Sequence, residues 1–262
     1  MNRSKNYHDY LINGLFFVPQ YRSDAADISI PDLCGWTSSI KNSYANRVRF
    51  RSTTGSKESL QEILHVAKQL HIGLTWIVSD IQYHNGVGAM LMNAGFKLGR
   101  FSLLDGMHLN TNSFMQPVED DIFRVSATDT LEHLSLITDS YGHDSNDTTI
   151  FLNRSNINLG SLNFRYYYGF KKGSADPIGY ARSIFDSKNR LVYLSGSAVL
   201  ASNRRQGLYR QLVTARIRDA VLMGYTNILV QADAQTSSKF LSQVGFERVC
   251  NIRFFEWTPR DA

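Results

Sequence analysis

The stretch with the clearest chemical content runs Tyr193-Leu-Ser-Gly-Ser-Ala-Val-Leu-Ala-Ser-Asn-Arg-Arg-Gln-Gly-Leu-Tyr-Arg-Gln-Leu212. Its first part reads as a β-strand, its middle is short and polar, and at Gly207 it turns straight into a helix. Such a junction has the physics of an anion site. The first amides of a helix have no intrahelical partner and point outward with a partial positive charge. A diphosphate can accept from them, and Gly207 lets it approach without a Cβ in the way. Arg204, Arg205 and Arg210 add formal positive charge near the same point. The same residues also describe an arginine-rich surface turn closed by a glycine, and spacing alone does not separate the two.

The neighbouring elements must position that junction. The helix spans residues 207–223, with Leu208, Leu212, Val213, Ala215, Ile217, Ala220 and Val221 expected inward, and Gly224 stops it. Upstream, residues 162–170, 177–185 and 190–201 read as strands joined by turn-rich runs, an antiparallel meander. Residues 122–125 are strand-like, and Asp129 with Glu132 is spaced as a capping box for the helix after them. Downstream come a strand at 227–232, a short helix at 236–244 and a last strand at 246–257. The first half offers a strand at 47–52 and a helix opened by Ser56 with Leu60, Ile63, Leu64, Ala67 and Leu70 on one face. A strand at 74–79 with Trp76 in the core, a helix at 87–94 ended by Gly95, and a strand from Phe96 towards His108 complete it. The polar, proline-bearing run 110–121 is the expected linker, which divides the chain into domains at 1–115 and 120–262. Both halves contain a short helix ending in Gly-Phe before a strand, Met92-Asn-Ala-Gly-Phe96 and Ser242-Gln-Val-Gly-Phe246, which hints at an internal repeat.

Composition sets the bounds. With 262 residues, 43% of them hydrophobic, the chain can bury a substantial core, and its charged residues are dispersed. No apolar run is long enough to span a membrane, and the short patch at 15–18 is not a signal peptide. Cys34 and Cys250 form no metal or redox motif and read as reduced thiols of a cytoplasmic protein. The histidines show no ligand spacing, so no metal is expected, and Ser195 with a distant His and Asp is no nucleophile signature. A net charge of +5 suits an anionic small ligand; the basic residues are scattered, which argues against a nucleic-acid surface. The glycosylation-type triplets at 146–148 and 153–155 are uninformative without a secretory route.

Arg204-x-x-Gly207-x-Tyr209 resembles the Q/R-x-x-G-x-G/A loop of the GNAT (GCN5-related) N-acetyltransferases, with Tyr209 where the last small residue stands. The element order from 122 to 257, with Gly245-Phe246 before the last strand, resembles that family as well. The resemblance implies an α/β fold with a mixed, mostly antiparallel sheet flanked by helices, in two GNAT-like halves of tandem type. It implies acetyl-CoA as cosubstrate, with pantetheine along Ser197, Ala198 and Val199. The pyrophosphate would lie on the amides of Arg205, Gln206, Gly207, Leu208, Tyr209 and Arg210, beside Arg204. A splayed fourth strand would free the amide around Leu200 for the oxyanion. The first half lacks the loop; Gly86-Val-Gly88 is its nearest glycine pair, and it is expected to complete the sheet or wall the acceptor cleft.

The sequence departs from the family at the catalytic acid. Many GNAT enzymes have a tyrosine four residues before the Gly-Phe pair; here it is Leu241, and Ala234 stands where an asparagine is often found. Neither does acid chemistry. Another hydroxyl (Ser237, Ser238 or Tyr209), a return of the proton by water or the acceptor, or an acyl-CoA-binding module without turnover are the alternatives. Asp233 is a weak candidate base; the residue reads more readily as the cap of the helix at 236–244 or a solvated loop acid. Tyr166, Tyr167, Tyr168, Tyr180 and Tyr193 lie on strands that would border the acceptor cleft, most of them as sheet packing. The expected acceptor is a small-molecule or peptide amine.

Overall fold

The computed structural model describes residues 3–14, 25–99, 103–114, 122–141 and 162–259. The patch at 15–18, both glycosylation-type triplets and the second half of the expected linker lie outside them. The first elements are α1 (Arg3–Gly14), β1 (Ala25–Asp27), β2 (Leu33–Ser38), β3 (Arg47–Phe50), α2 (Lys57–Leu70), β4 (Leu74–Ser79), α3 (Asp80–His84), α4 (Val87–Asn93), β5 (Lys97–Leu98) and β6 (Leu104–Asn110). Next in the chain are β7 (Phe123–Thr128), α5 (Leu134–Tyr141), β8 (Leu162–Lys171), β9 (Pro177–Asp186) and β10 (Leu191–Val199). The last are α6 (Leu208–Leu222), β11 (Asn227–Asp233), α7 (Ser237–Gln243) and β12 (Glu247–Trp257).

The chain divides into two compact units that do not coincide with the halves of the sequence. Unit 1 is Met1–Met107 with Ala232–Phe240 and Arg248–Ala262; unit 2 is His108–Gln231 with Leu241–Glu247. In unit 1 the strands pair in the order β1-β2-β3-β4-β12, with β5 also on β12. Of these pairs among the described residues, β3 and β4 alone run parallel, as a crossover through α2 requires. Leu60, Ile63, Leu64 and Ala67 of α2 pack with Val48, Phe50 and Trp76, while Leu70, expected inward, is 54% exposed at the helix end. Fully burying each leucine or isoleucine stabilises by about 1.5–3 kcal/mol. Trp76 lies in this core, 4.6 Å from Phe50 and 5.8 Å from Phe96 between ring centroids.

Unit 2 is built on β7, β8, β9 and β10 paired antiparallel in that order, with β11 parallel to β10. Side chains alternate between its faces. On one face Tyr166, Tyr168 and Tyr180 pack against Leu136 and Ile137 of α5. On the other Phe123, Tyr167, Ala181 and Val199 pack against Leu208 and Leu212 of α6. Two local expectations fail. Glu132 precedes α5 instead of capping it from within: its amide donates to the Tyr168 hydroxyl at 2.7 Å, and that hydroxyl donates to its carbonyl at 2.6 Å. On α6, Val221 is exposed and Arg216 takes an inward position, its Nε donating to the Leu212 carbonyl.

The repeated Gly-Phe signature builds the same helix end in both places. Gly95 and Gly245 have φ of 91° and 104°, and the amides of Phe96 and Phe246 each donate at 3.0 Å to a carbonyl five residues back, on Leu91 and Leu241. Both leucines are fully buried, as this helix-closing motif favours.

Candidate functional site

The junction begins with an irregularity in β10. The register to β9 shifts between Ser195 and Ser197, and Gly196 between them has φ 56°. A bulge of this kind bends a strand and ends regular pairing. The parallel pairing with β11 stops at Leu194↔Val230, whereas β10 stays paired to β9 as far as Val199↔Gly179. Residues 195–199 thus have a partner on one side only, among the described residues.

That parting changes which amide is turned outward. The Leu200 amide donates to the Ile178 carbonyl at 3.0 Å, so it is bound to β9 and is not the freed group. Amides alternate between the two sides of a strand. The Val199 backbone therefore faces the side that β11 has left, and its carbonyl accepts there from Arg204 Nε at 3.0 Å.

Beyond β10 a short 3-10 turn at Ala201–Asn203 leads into the loop. Arg204 ties the loop back, with Nε on Val199 and Nη2 on the Ser140 carbonyl at 3.4 Å. Arg205 has φ 63° and Gly207 φ 96°, both left-handed. Gly207 caps α6 without a side-chain hydrogen bond, and the first turn contains no acidic residue. The first bond along the helix runs from the Gln211 amide to the Gly207 carbonyl at 3.2 Å. Residues 204–207 and Arg210 are exposed, so the helix mouth opens to solvent.

Leu208 fixes this mouth to the sheet. It is 1% exposed and sits over Gly169 and Gly179, which pair across β8 and β9. A Cβ on Gly179 would come within 2.8 Å of Leu208. The glycines make a hollow in which a leucine seats the start of a helix.

The expected cofactor residues are therefore gathered in one stretch: Ser197, Ala198 and Val199 on the parted strand, then Arg204, Arg205, Gln206, Gly207, Leu208, Tyr209 and Arg210 around the helix mouth. The expected catalytic groups are engaged elsewhere. Tyr209 is half-buried against the α6 core. In unit 1, Asp233 Oδ1 accepts from the Gln235 and Thr236 amides at 2.9 Å and from the Thr236 hydroxyl at 3.0 Å. These bonds close the turn just ahead of α7, where the Ser237 hydroxyl donates to the Asp233 carbonyl at 3.5 Å. Ser238 donates to the buried Asp105, which Asn251 also binds at 2.6 Å. Tyr167 donates to Asp219 at 3.0 Å, and burial holds its phenol well above the usual range. Sequence reasoning missed Arg182 of β9, which is 7% exposed and donates from Nη2 to Ser195 Oγ at 2.7 Å. Its only signal was a basic residue among strand-forming ones.

No model of a known protein family matches the chain, and no curated protein matches it. Solved structures do. A GCN5-related N-acetyltransferase from Kribbella flavida aligns over 98% of this chain and 96% of its own, at 13% identity and a TM-score of 0.68. A functionally unknown conserved protein from Staphylococcus epidermidis aligns over 90% and 95%, at 11% identity and a TM-score of 0.66. A tandem GNAT protein from the clavulanic acid biosynthesis pathway aligns over 99% and 97%, at 11% identity and a TM-score of 0.56. The chain has the fold of the GCN5-related N-acetyltransferases, and the likeness to a tandem member extends over nearly its whole length. Among the described residues no helix is long and apolar enough to cross a membrane, and no group of His, Cys, Asp and Glu could hold a metal ion.

Proposed function

We propose that unit 2 binds acetyl-CoA and transfers its acetyl group to a primary amine by direct attack. The observation that carries this reading is the uncapped mouth of α6, open to solvent and directly after a strand whose outer edge is unpaired. A helix mouth that lacks an acidic first turn and has arginines beside it suits a diphosphate. The parted edge of β10 offers backbone groups to an extended amide-bearing arm. No metal or redox chemistry is required.

The acetyl-CoA thioester carbonyl would sit beside the parted edge, where the Val199 amide can donate to the oxyanion. The amine nitrogen forms its bond to the carbonyl carbon, the carbon–sulfur bond breaks, and the sulfur leaves as a thiolate. A thiol of pKa near 8.5 leaves well without full protonation. The amine proton passes to water or to the thiolate itself, since Leu241 is apolar and Asp233 and Ser237 are engaged in the turn ahead of α7. Acceleration then comes mainly from holding the amine and carbonyl in line.

The missing acid also motivates a second reading, an acyl-CoA-binding module without turnover. Calorimetric titration with CoA combined with a free-thiol assay on a panel of amines separates them. Binding with thiol release supports the transferase; binding with no release from any amine supports the module. Absence of CoA binding removes both.

A further inference from the structure

The buried polar groups that acyl transfer leaves unused gather on one face of unit 2. Arg182 is the foremost. Its guanidinium lies 5.3 Å over the Phe164 ring and bonds the Ser195 hydroxyl, while its Nε is buried with no hydrogen-bond partner. No carboxylate among the described residues pairs with it. A guanidinium stays charged at any ordinary pH, and a buried charge without a counter-charge is costly. Ser140 of α5, the helix on this face, is 4% exposed and its Oγ is also buried without a partner. Tyr166, Tyr180 and Tyr193 are buried on the same face of the sheet.

The place of this pair in the sheet gives it meaning. Ser195 is the first residue of β10 beyond its last β11 pair, so the Arg182–Ser195 bond lies at the apex of the parting. Ser195 Oγ accepts from Arg182 and keeps its own proton to donate. Arg182 Nε–H and the Ser195 hydroxyl are then adjacent donors under a fixed positive charge, which suits one carboxylate.

We propose that the acceptor is a carboxylate-bearing amine, an α-amino acid, whose carboxylate pairs with Arg182 and Ser195 while its amino group faces the parted edge of β10. This rests on the acyl-transfer reading for the fate of the amine, and on Arg182 for the anion. The apex is where the strands begin to part, so the distance between carboxylate and amine must be short. An α-amino acid meets that; a long polyamine does not.

The test pairs each of the common α-amino acids with its carboxamide, using the full chain and acetyl-CoA, with thiol release as readout. At least one acid turns over and its carboxamide has a KM roughly 10–100-fold higher, the size of a lost charge-assisted bond. Arg182→Gln removes that preference by raising KM for the acid, with kcat changed less and CoA affinity by calorimetry unchanged. Arg182→Lys, which keeps the charge, retains part of the preference and guards against a variant that merely misfolds. If no amine turns over, thermal shift with the same acids and carboxamides reads the anion site directly, without CoA. Stabilisation by acids in the wild type and not in Arg182→Gln supports the site even if acyl transfer fails. Equal handling of acid and carboxamide, or an Arg182→Gln variant that keeps the preference, overturns it, as does a CoA-binding protein that neither acetylates nor binds any amino acid.

Discussion

The molecule contains the same crossover twice and starts the crossover helix differently in each copy. In unit 1, β3 leads through α2 to the parallel β4; in unit 2, β10 leads through α6 to the parallel β11. The helices are nearly equal in length, 14 and 15 residues. Their mouths differ in chemistry. At α2 the Ser56 side chain accepts from the Ser59 amide at 3.1 Å, and Glu58 occupies the first turn, bonded by the Ser56 hydroxyl at 2.9 Å. At α6 glycine replaces the cap, no acid lies in the first turn, and arginines flank it. The first mouth has filled itself with its own oxygens; the second has no side-chain cap of its own. Beyond the crossover the two copies agree again, down to the Phe-to-Leu hydrogen bond that closes α4 and recurs after α7. The scaffold is repeated, and a handful of residues give its two helix starts opposite chemistry.

The largest expected effect is on packing. Leu208→Ala empties the hollow over Gly169 and Gly179 and should cost about 2–5 kcal/mol, read by chemical denaturation. No stability change would mean that the α6 mouth is held by something else. Gly207→Asp puts a β-carbon at a left-handed position and a carboxylate into the mouth, and should weaken CoA binding by roughly 100-fold in calorimetry. Full affinity in that variant would misplace the site. Ser56→Ala should cost about 1 kcal/mol of stability with CoA affinity unchanged, because that cap serves the fold alone. The smallest effect is electrostatic. Hydrogen bonds from its own backbone amide and from Ser56 hold the Glu58 carboxyl below the usual range. A carboxylate lowered by folding stabilises above its unfolded pKa, near 4.3, and that contribution fades as pH falls. The melting temperatures of wild type and Glu58→Gln should therefore differ slightly at pH 7 and converge by about pH 3.

The helix ends of both copies were legible in the sequence because local chemistry sets them. Gly224 closes α6 with φ 76°, and Ser56 caps α2 through its own side chain. The helix start at Gly207 was legible for the same reason: the glycine and its arginines are near neighbours in the chain. Long-range pairing was not. β12 lies against β4, Ile252 opposite Ser79, a partnership that no spacing encodes. The bulge at Gly196 was hidden because glycine in a strand has several uses, and it moved the outward backbone from Leu200 to Val199. Arg182 and Arg216 were passed over because buried arginines look like surface ones until the packing is known. Asp233 was legible as two things at once, and its carboxylate closes the turn ahead of α7 by accepting from the Gln235 and Thr236 amides.

Hydrogen exchange by mass spectrometry, with and without CoA, addresses the contrast between the helix mouths in one experiment. Slowed exchange is expected in the peptide covering residues 204–211, with no change in the peptide covering 55–61. CoA binding that leaves 204–211 unprotected, or that protects 55–61 instead, would contradict the assignment of the anion site to α6.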